Sequence, residues 1–371
     1  MQRTSESTSG ATPSAWQPAS RIPVSVLGAT GVVGQRFVRR LAQHPWFELR
    51  HLAASEKSTG KRYAEACSWR LALHGDDEHY AGRGAQVLVP CTPEAAAAPL
   101  VFSALDSAVA RELEPRFAEA GCLVFSNASA YRMENDVPLL IPEVNAEHLA
   151  LLVAQRRRTG WSGGIVCNPN CTATILSVAL APLERAFGIE QVLVTSMQAL
   201  SGAGHPGVPS LDAAGNVVPF IREEEEKMAT EPQKMLGALR GGAIEPAPFL
   251  VSALCHRVPV VDGHTEAVSV KLRGAPTPQA VREALTTWRP AVTSDLPSAP
   301  RATLRVHDAE DRPQARLDVE SERGMTVHVG RIRACAVLGV KMVLLGHNAE
   351  RGAAGASVLN AELAVRQGYL A

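Results

Sequence analysis

The stretch IPVSVLGATGVVGQRFVRRLAQHP, from Ile22 to Pro45, decides how the rest of the chain is read. A short β-rich run meets a glycine loop, which passes into a segment with Val33, Phe37 and Leu41 on one helical face. Glycines between a strand and a helix let the backbone turn sharply and approach a pyrophosphate, whose charge sits well at the helix N-terminus. Gly28, Gly31 and Gly34 have that spacing, with Thr30, Val32 and Val33 among them. A purely structural turn would also want glycine, but the strand-before, helix-after context points to dinucleotide binding.

The end of the next strand bears on which dinucleotide. An NAD site usually offers Asp or Glu to the ribose hydroxyls there. AASEKSTGKRY instead offers Ser55, Ser58, Lys61 and Arg62 to hydrogen-bond and neutralise a 2′-phosphate, with Glu56 opposing it if turned inward. The expected cofactor is NADP.

Outward from this loop, FELRHLAAS, AQVLVPCT, APLVFSALDS and CLVFSNAS read as further strands, and DSAVARELEPRFAEAG (106–121) as a helix with an acidic start and a glycine stop. Alternating strands and helices predict an α/β fold with a parallel, Rossmann-type sheet. After Cys171 the texture changes. QVLVTSMQAL, PFLVSALCHRVPVV, HTEAVSVKLR, ATLRVHD, MTVHVGRIRAC and AVLGVKMVLLGH are strand candidates with few helices between them, which predicts an α+β catalytic domain with a mixed sheet. The expected division is a flexible tail over 1–20, a dinucleotide-binding domain over 21–168, and a catalytic domain over 169–348. The terminal helical segment 349–371 returns to the first domain.

Bulk properties agree with this and exclude other classes. The 371 residues are 46% hydrophobic and 20% charged, enough for about two domains. Lys+Arg and Asp+Glu both number 37, so nothing marks a nucleic-acid partner. No stretch approaches the roughly 20 apolar residues of a membrane helix, and the first 20 residues lack the apolar run of a signal peptide. Seven cysteines without a disulfide-like cadence suggest a reducing, cytoplasmic setting.

One of those cysteines stands out. GGIVCNPNCTATILSVALAPL (163–183) places Cys171 between a strand and the first turn of a helix. A helix N-terminus stabilises a thiolate, the nucleophilic form of cysteine. The plainer alternatives are a small buried apolar residue, or pairing with Cys167 across a spacing that suits neither a redox nor a zinc motif. Cys67, Cys91, Cys122, Cys255 and Cys335 lie in or beside apolar runs and keep the apolar reading. Downstream, CHRVPVVDGHTEAVSV carries Arg257, suited to a carboxylate, and His264, able to exchange protons near neutral pH. The run Glu224, Glu225, Glu226, Lys227 on its own pattern reads as a solvated helix face.

GATGVVGQ, SNASAYR, NPNCTAT, MQALSGAGHPGVPSLD, EEEEKM, RVPVVDGHTE and RGAAGASVLNAEL occur in this order from Gly28 to Leu363. With these motifs the chain resembles the aspartate-semialdehyde dehydrogenases of the archaeal and fungal branch. The resemblance implies that Cys171 is the nucleophile, Asn170 its neighbour in the acyl pocket, Gln198 the group orienting the acyl-enzyme, and His264 the general acid/base. It implies further that Arg257 holds the substrate α-carboxylate, that Glu224 pairs with the α-ammonium group (Glu225 and Glu226 being alternatives), and that Arg132 and Lys227 grip phosphate. Ser201, Gly202 and Asn348 join the nucleotide-binding residues.

The implied reaction interconverts L-aspartyl 4-phosphate and L-aspartate 4-semialdehyde through a cysteine thioester, with NADPH as reductant and no metal. The implied assembly is a homodimer or homotetramer. Alternatives on the same scaffold are malonyl- or succinyl-CoA reductases and an acetylglutamyl-phosphate reductase-like enzyme; a non-catalytic NADP-binding regulator is another. His256 is expected to turn away from the site, and His205 to line a loop. His44, His51, His74 and His79 occur singly, without ligand spacing.

Overall fold

The computed structural model describes residues 16–73 and 78–370; residues 1–15 of the expected tail and His74 lie outside them. Strand β1 (Ile22–Leu27) runs into Gly28, and the helix Val32–Leu41 follows. With β2 (Phe47–Ala54), β3 (Val89–Pro90), β4 (Leu100–Ser103), β5 (Leu123–Ser126) and β6 (Gly164–Cys167) it forms a six-stranded sheet. The order is β3-β2-β1-β4-β5-β6 and every pair is parallel. This is the doubly wound arrangement, whose crevice opens where the strand order reverses, at the carboxyl ends of β1 and β4.

Local chemistry shapes that crevice. Gly28 has φ +73°, and an added Cβ there would lie 2.7 Å from the Ala104 carbonyl oxygen beyond β4. At Gly34 a Cβ would meet the Gly28 carbonyl oxygen at 2.2 Å, so this glycine lets the helix close onto the turn. The strand expected in AQVLVPCT is cut to two residues on the sheet edge, because Pro90 has no N–H to continue a ladder.

The second sheet contains β7 (Ile189–Gln198), β10 (Leu250–Arg257), β11 (His264–Leu272), β12 (Leu304–Val306), β13 (Val327–Cys335) and β14 (Gly339–Gly346). A small hairpin, β8 (Ala238–Arg240) and β9 (Ala243–Glu245), stands apart. The order is β10-β7-β11-β14-β13-β12, parallel at the two outer pairs and antiparallel between, hence mixed as expected.

The helix Cys171–Phe187 packs on this sheet with residues 172–183 all buried, which is why its sequence is apolar on every side. One hydrophobic core joins Val101 and Val124 of the first sheet to Ile175 and Val178 of this helix and Val192 and Val268 of the second sheet. The helix Gly355–Arg366, entered through a π turn at Glu350–Ala354, returns to pack on the Val32–Leu41 helix and on β4 and β5.

Strand register sets out the site. On the buried face of the second sheet Arg257 pairs with Gln198, and His264 pairs with Gly346. Two residues further along, Ser196 pairs with both Cys255 and Glu266. Residues scattered through the sequence from Ser196 to Gly346 therefore form adjacent rows. Among the described residues no helix is long and apolar enough to cross a membrane.

Candidate active site

A cleft of about 1480 Å³ extends from the nucleotide loop to Cys171, more than the roughly 300–1000 Å³ of a typical small-ligand pocket. At one end its wall is formed by Gly28, Thr30, Gly31, Val32 and Val33. The Val32–Leu41 helix is N-capped by Gly31 without a side-chain cap, which suits an incoming pyrophosphate at its first N–H groups. These features, with the glycine approaches above, fit a dinucleotide. Gly34 stands behind the wall as a packing glycine.

Beside β2 the wall includes Ser55, Glu56 and Lys57, while Ser58 and Lys61 lie outside it in the following turn. Lys57, passed over in the sequence reading, is thus the lysine of this segment that faces the cleft. Ser201, Gly202 and Asn348 are on the wall, and Asn348 Nδ2 donates to Ser201 Oγ at 2.8 Å.

At the other end, Asn170 caps the helix that Cys171 begins: its Oδ1 accepts the N–H groups of Thr172 (3.0 Å) and Ala173 (3.1 Å). Its Nδ2 donates to both oxygens of Glu224, at 3.0 and 2.9 Å. Glu224 also accepts Gln198 Nε2 (3.3 Å) and Lys227 Nζ (3.3 Å), and all four side chains reach the cleft. Glu225 instead accepts the Cys255 N–H, and Glu226 is exposed, so Glu224 is the glutamate of the run that faces the site. The solvated-face pattern fails at Glu224 because it shares a helix face with the buried Met228 and Glu231.

Cys171 Sγ lies 3.2 Å from His264 Nε2. His264 is fully buried and does not itself line the cleft. The main chain of Ala199 holds both basic groups: its N–H donates to His264 Nδ1 at 3.0 Å, and its C=O accepts Arg257 Nη1 at 2.6 Å. Gly202 covers them, and a Cβ there would meet Arg257 Nη1 at 2.7 Å and His264 Cε1 at 3.0 Å.

The thiol corrects one expectation. The helix start was expected to lower the Cys171 pKa, yet although the residue keeps a partly exposed face, the thiol is pushed up to about 12. Desolvation is the main cause and the Glu224 carboxylate the next; the Thr172 hydroxyl, Arg132 and Arg257 pull the other way. Burial, Arg257 and His347 hold the His264 pKa well below the ordinary histidine value. Burial likewise lowers that of Arg257.

Arg132 lines the cleft but is anchored from behind. Nη1 donates to Glu231 at 3.1 Å, Nη2 donates to the Asn127 carbonyl at 2.8 Å, and Glu231 also accepts the Asn170 N–H at 2.6 Å. Lys234 Nζ donates to the carbonyls of Arg132, Glu134 and Val137, bracing the same loop. Glu231, Lys234 and Ala199 escaped the sequence reading. The spacing Glu224, Lys227, Glu231, Lys234 is a helical stripe that could have signalled the first two.

The remaining histidines separate as expected. His256 alternates with the buried Cys255 and Arg257 and so faces the other side of β10, and His205 lines the cleft from an exposed loop. His44 is buried against Glu362 at 2.7 Å. All seven cysteines are free, so Cys167 and Cys171 are unpaired. Away from the cleft, His307, His328 and Asp318 cluster within 4.8 Å. The Asp318 carboxylate is held by Arg312 and the Gln314 N–H, and the two imidazoles meet at 2.9 Å, while His328 Nε2 has no hydrogen-bond partner among the described residues.

Comparison with known proteins finds two matching family models. The family model "Semialdehyde dehydrogenase, NAD binding domain" matches residues 23–152, and "Semialdehyde dehydrogenase, dimerisation domain" matches residues 180–350. Fold and cleft therefore place the chain among the semialdehyde dehydrogenases, with a domain of the dimerising type.

The finer comparison is with whole proteins. The aspartate-semialdehyde dehydrogenase of Archaeoglobus fulgidus is 51% identical over 94% of this chain and 99% of its own. That of Cryptococcus neoformans is 46% identical over 95% and 99%. The crystal structure of the Candida albicans enzyme with NADP superposes with a TM-score of 0.84 at 41% identity, covering 93% of this chain and 99% of that one. The chain belongs to the aspartate-semialdehyde dehydrogenase family.

Proposed function

We propose that the chain catalyses the NADP-dependent interconversion of L-aspartyl 4-phosphate and L-aspartate 4-semialdehyde plus phosphate, in the biosynthesis of lysine, threonine and methionine. The observation that carries this reading is the approach of Cys171 Sγ to His264 Nε2 at 3.2 Å, at the floor of a cleft walled by Glu224, Arg257 and Arg132. The substrate has one cation and two anions, and these groups, with Lys227, can match all three. A substrate lacking the amino group or the phosphate would leave buried charges unpaired, which is how such a pocket selects.

Cys171 attacks the carbonyl carbon of the acyl phosphate, forming a thioester as the bond from that carbon to the phosphate oxygen breaks. Arg132 and Lys227 hold the departing phosphate, Arg257 the α-carboxylate, Glu224 the α-ammonium group, and Gln198 and Asn170 orient the acyl group. A nicotinamide dinucleotide bound in the cleft supplies the hydride that reduces the thioester. Ser55 and Lys57 are the wall groups suited to a 2′-phosphate, with Gly28, Gly31, Ser201 and Asn348 along the rest of the dinucleotide.

We assign nucleotide binding to residues 21–168 and the C-terminal segment from 349, and catalysis with self-association to 169–348. A second copy is proposed to cover the outer face of the mixed sheet, where Leu193, Leu250 and Leu254 are exposed on adjacent strands. Dimer and tetramer differ in mass and are separated by light scattering. The free thiols suit a reducing cytoplasm.

The test is NADP reduction by purified protein with L-aspartate semialdehyde, with and without phosphate, beside a Cys171→Ser variant. The expected outcome is activity that requires both phosphate and Cys171. Activity with a CoA thioester alone would overturn the reading.

A further inference from the structure

His307 and His328 meet on one face of the second sheet, away from the catalytic cleft. Strands β12 and β13 run parallel with Arg305 opposite His328, and the His307 N–H donates to the Val329 carbonyl at 2.8 Å. His307, two residues beyond Arg305, therefore shares the face of His328. The rings stack with centroids 5.2 Å apart, and His307 Nε2 lies 2.9 Å from His328 Nδ1. The short helix Ala315–Asp318 ends at the same place. One ligand atom each from His307, Asp318 and His328 lie within 4.8 Å of one another. Asp318 and His328 are buried, and His307 is half-buried.

We propose that His307, His328 and Asp318 form a zinc site, with a water molecule as fourth ligand on the half-buried side. Two imidazoles and one carboxylate are donors that zinc takes, and a water completes the tetrahedron. Zinc–nitrogen bonds of about 2.0–2.1 Å at a tetrahedral angle set two nitrogens about 3.3 Å apart. The facing imidazole nitrogens need to part by about 0.4 Å to reach that spacing. Both strands that carry the rings are paired in the sheet, so the two donors are held close before any ion arrives. Burial lowers the pKa of His307 and brings that of His328 down to about 4, so both rings are neutral near pH 7, the form that binds a metal.

The existing partners leave room for the ion. His328 Nε2 has no hydrogen-bond partner among the described residues, so the contact with His307 is the one side-chain hydrogen bond that holds this buried ring. Zinc replaces it with a metal–nitrogen bond. A proton on His307 Nε2 moves to Nδ1 of the same ring, which changes the tautomer and not the charge. Against the pull of burial, Arg312 and the Gln314 N–H bring the Asp318 pKa down to about 2, so the carboxylate is ionised. Arg312 Nε and the Gln314 N–H both donate to Oδ2, at 2.8 and 2.7 Å, while Oδ1 accepts Arg312 Nη2 alone among the described residues. An ionised carboxylate oxygen offers about two lone-pair sites, so one on Oδ1 stays open. Arg312 is then the outer partner that orients a ligating carboxylate. Of the other charges acting on His307, Arg305 is exposed to water and Asp308 opposes it.

A bound ion ties β12, β13 and the helix Ala315–Asp318 together at the edge of the second sheet. That helix sits close behind the active site: a Cβ on Gly263 would meet Val319 Cγ2 at 2.9 Å and Ala315 Cβ at 3.3 Å, and Gly263 directly precedes His264. The zinc site shares no residue with the proposed reaction, so failure of one leaves the other standing.

The measurement is equilibrium dialysis of the full-length Cys171→Ser variant against micromolar ZnCl2, because Cys171 and His264 at 3.2 Å could themselves hold zinc in the wild type. One zinc per chain is expected. His307→Ala in the same background changes a half-buried residue and is expected to weaken binding by about 100-fold or more, beyond what loss of an outer partner costs. Zinc should raise the Tm of Cys171→Ser and leave that of the double variant unchanged. X-ray absorption at the zinc edge of loaded Cys171→Ser needs no second substitution, and should show imidazole nitrogen and oxygen neighbours without sulfur. No binding at micromolar zinc, an affinity unchanged by His307→Ala, or sulfur among the zinc neighbours would overturn the proposal.

Discussion

Gly352 lies directly against Cys171: a Cβ on Gly352 would come within 2.5 Å of the Cys171 Cβ and 2.8 Å of its Cα. The π turn Glu350–Ala354 creates this approach, bringing the start of the C-terminal segment onto Cys171. Neither neighbouring atom is the far end of a flexible side chain, so a methyl group at 352 must displace the helix start. Displacements near 1 Å at a reacting centre cost about 100-fold in rate. Gly352→Ala is expected to lower kcat by about that factor while dinucleotide Kd changes less than about threefold. A kcat close to wild type, measured with saturating substrates, would show that the site absorbs the methyl group.

Glu231 is expected to matter for stability more than a charged helix residue normally does. It is buried, accepts Arg132 at 3.1 Å and accepts the N–H of Asn170 at 2.6 Å. Removing one member of a buried ion pair leaves the other charge unmatched, at about 3 kcal/mol. Glu231→Gln should therefore shift the urea midpoint downward by an amount equivalent to about 3 kcal/mol, at unchanged m-value. A surface control, Glu226→Gln, should stay within about 0.5 kcal/mol. Equal effects of the two would remove the anchoring role.

These residues also mark where the sequence stopped speaking. The glycine loop and the strand–helix alternation are local patterns, so the doubly wound sheet and the position of Cys171 could be read directly. The pairing of Arg257 with Gln198 and of His264 with Gly346 depends on a strand order that no local pattern encodes. Glu224 looked like a solvated charge, and Glu231 went unread, because a charged stripe on a helix usually faces water and only the packing around it shows that this one is buried. Lys57 was overlooked beside Ser58 and Lys61 because the direction of a side chain in a turn depends on the fold around it. Ala199 acts through its main chain, which its residue type does not disclose.

Glu224 raises the Cys171 pKa, lines the cleft, and is the group proposed for the substrate ammonium. Removing its charge should therefore have two opposite effects. Glu224→Gln is expected to lower the thiol pKa, so that iodoacetamide alkylates Cys171 faster than in wild type at about pH 8.5. The same variant should raise KM for the semialdehyde by about tenfold or more, as one charge-assisted contact is lost. Slower alkylation would contradict the electrostatic account of the thiol.

Lys57 and Glu56 face the cleft together, at the proposed 2′-phosphate site. Lys57→Ala should weaken NADP binding by about tenfold, the loss of one charged phosphate contact, and leave NAD nearly unaffected. Calorimetric titration of both dinucleotides decides this. Parallel losses would place Lys57 outside the 2′-phosphate site.

Glu266 contributes to the pH dependence of stability in an unusual direction, as does Glu114, whose pKa burial raises to about 7. Glu266 lies two residues from His264 on β11, fully buried, and among the described residues neither carboxylate oxygen has a hydrogen-bond partner. Burial pushes its pKa well above the ordinary 4.5. The folded protein thus keeps the proton under conditions where the unfolded chain has lost it. A raised carboxyl pKa contributes its stability fully below the unfolded value and loses it as pH rises from there towards the folded value. Glu350, whose pKa the Arg40, Arg36 and Arg39 guanidiniums and His347 lower, acts with the opposite sign and only in acid, below its ordinary 4.5. Between about pH 5 and 8 the Glu266 effect should therefore be visible. Glu266→Gln keeps the shape and removes the titration, so its Tm should gain on wild type steadily as pH rises across that window. Parallel Tm curves for the two proteins would mean that Glu266 is ionised in the folded state.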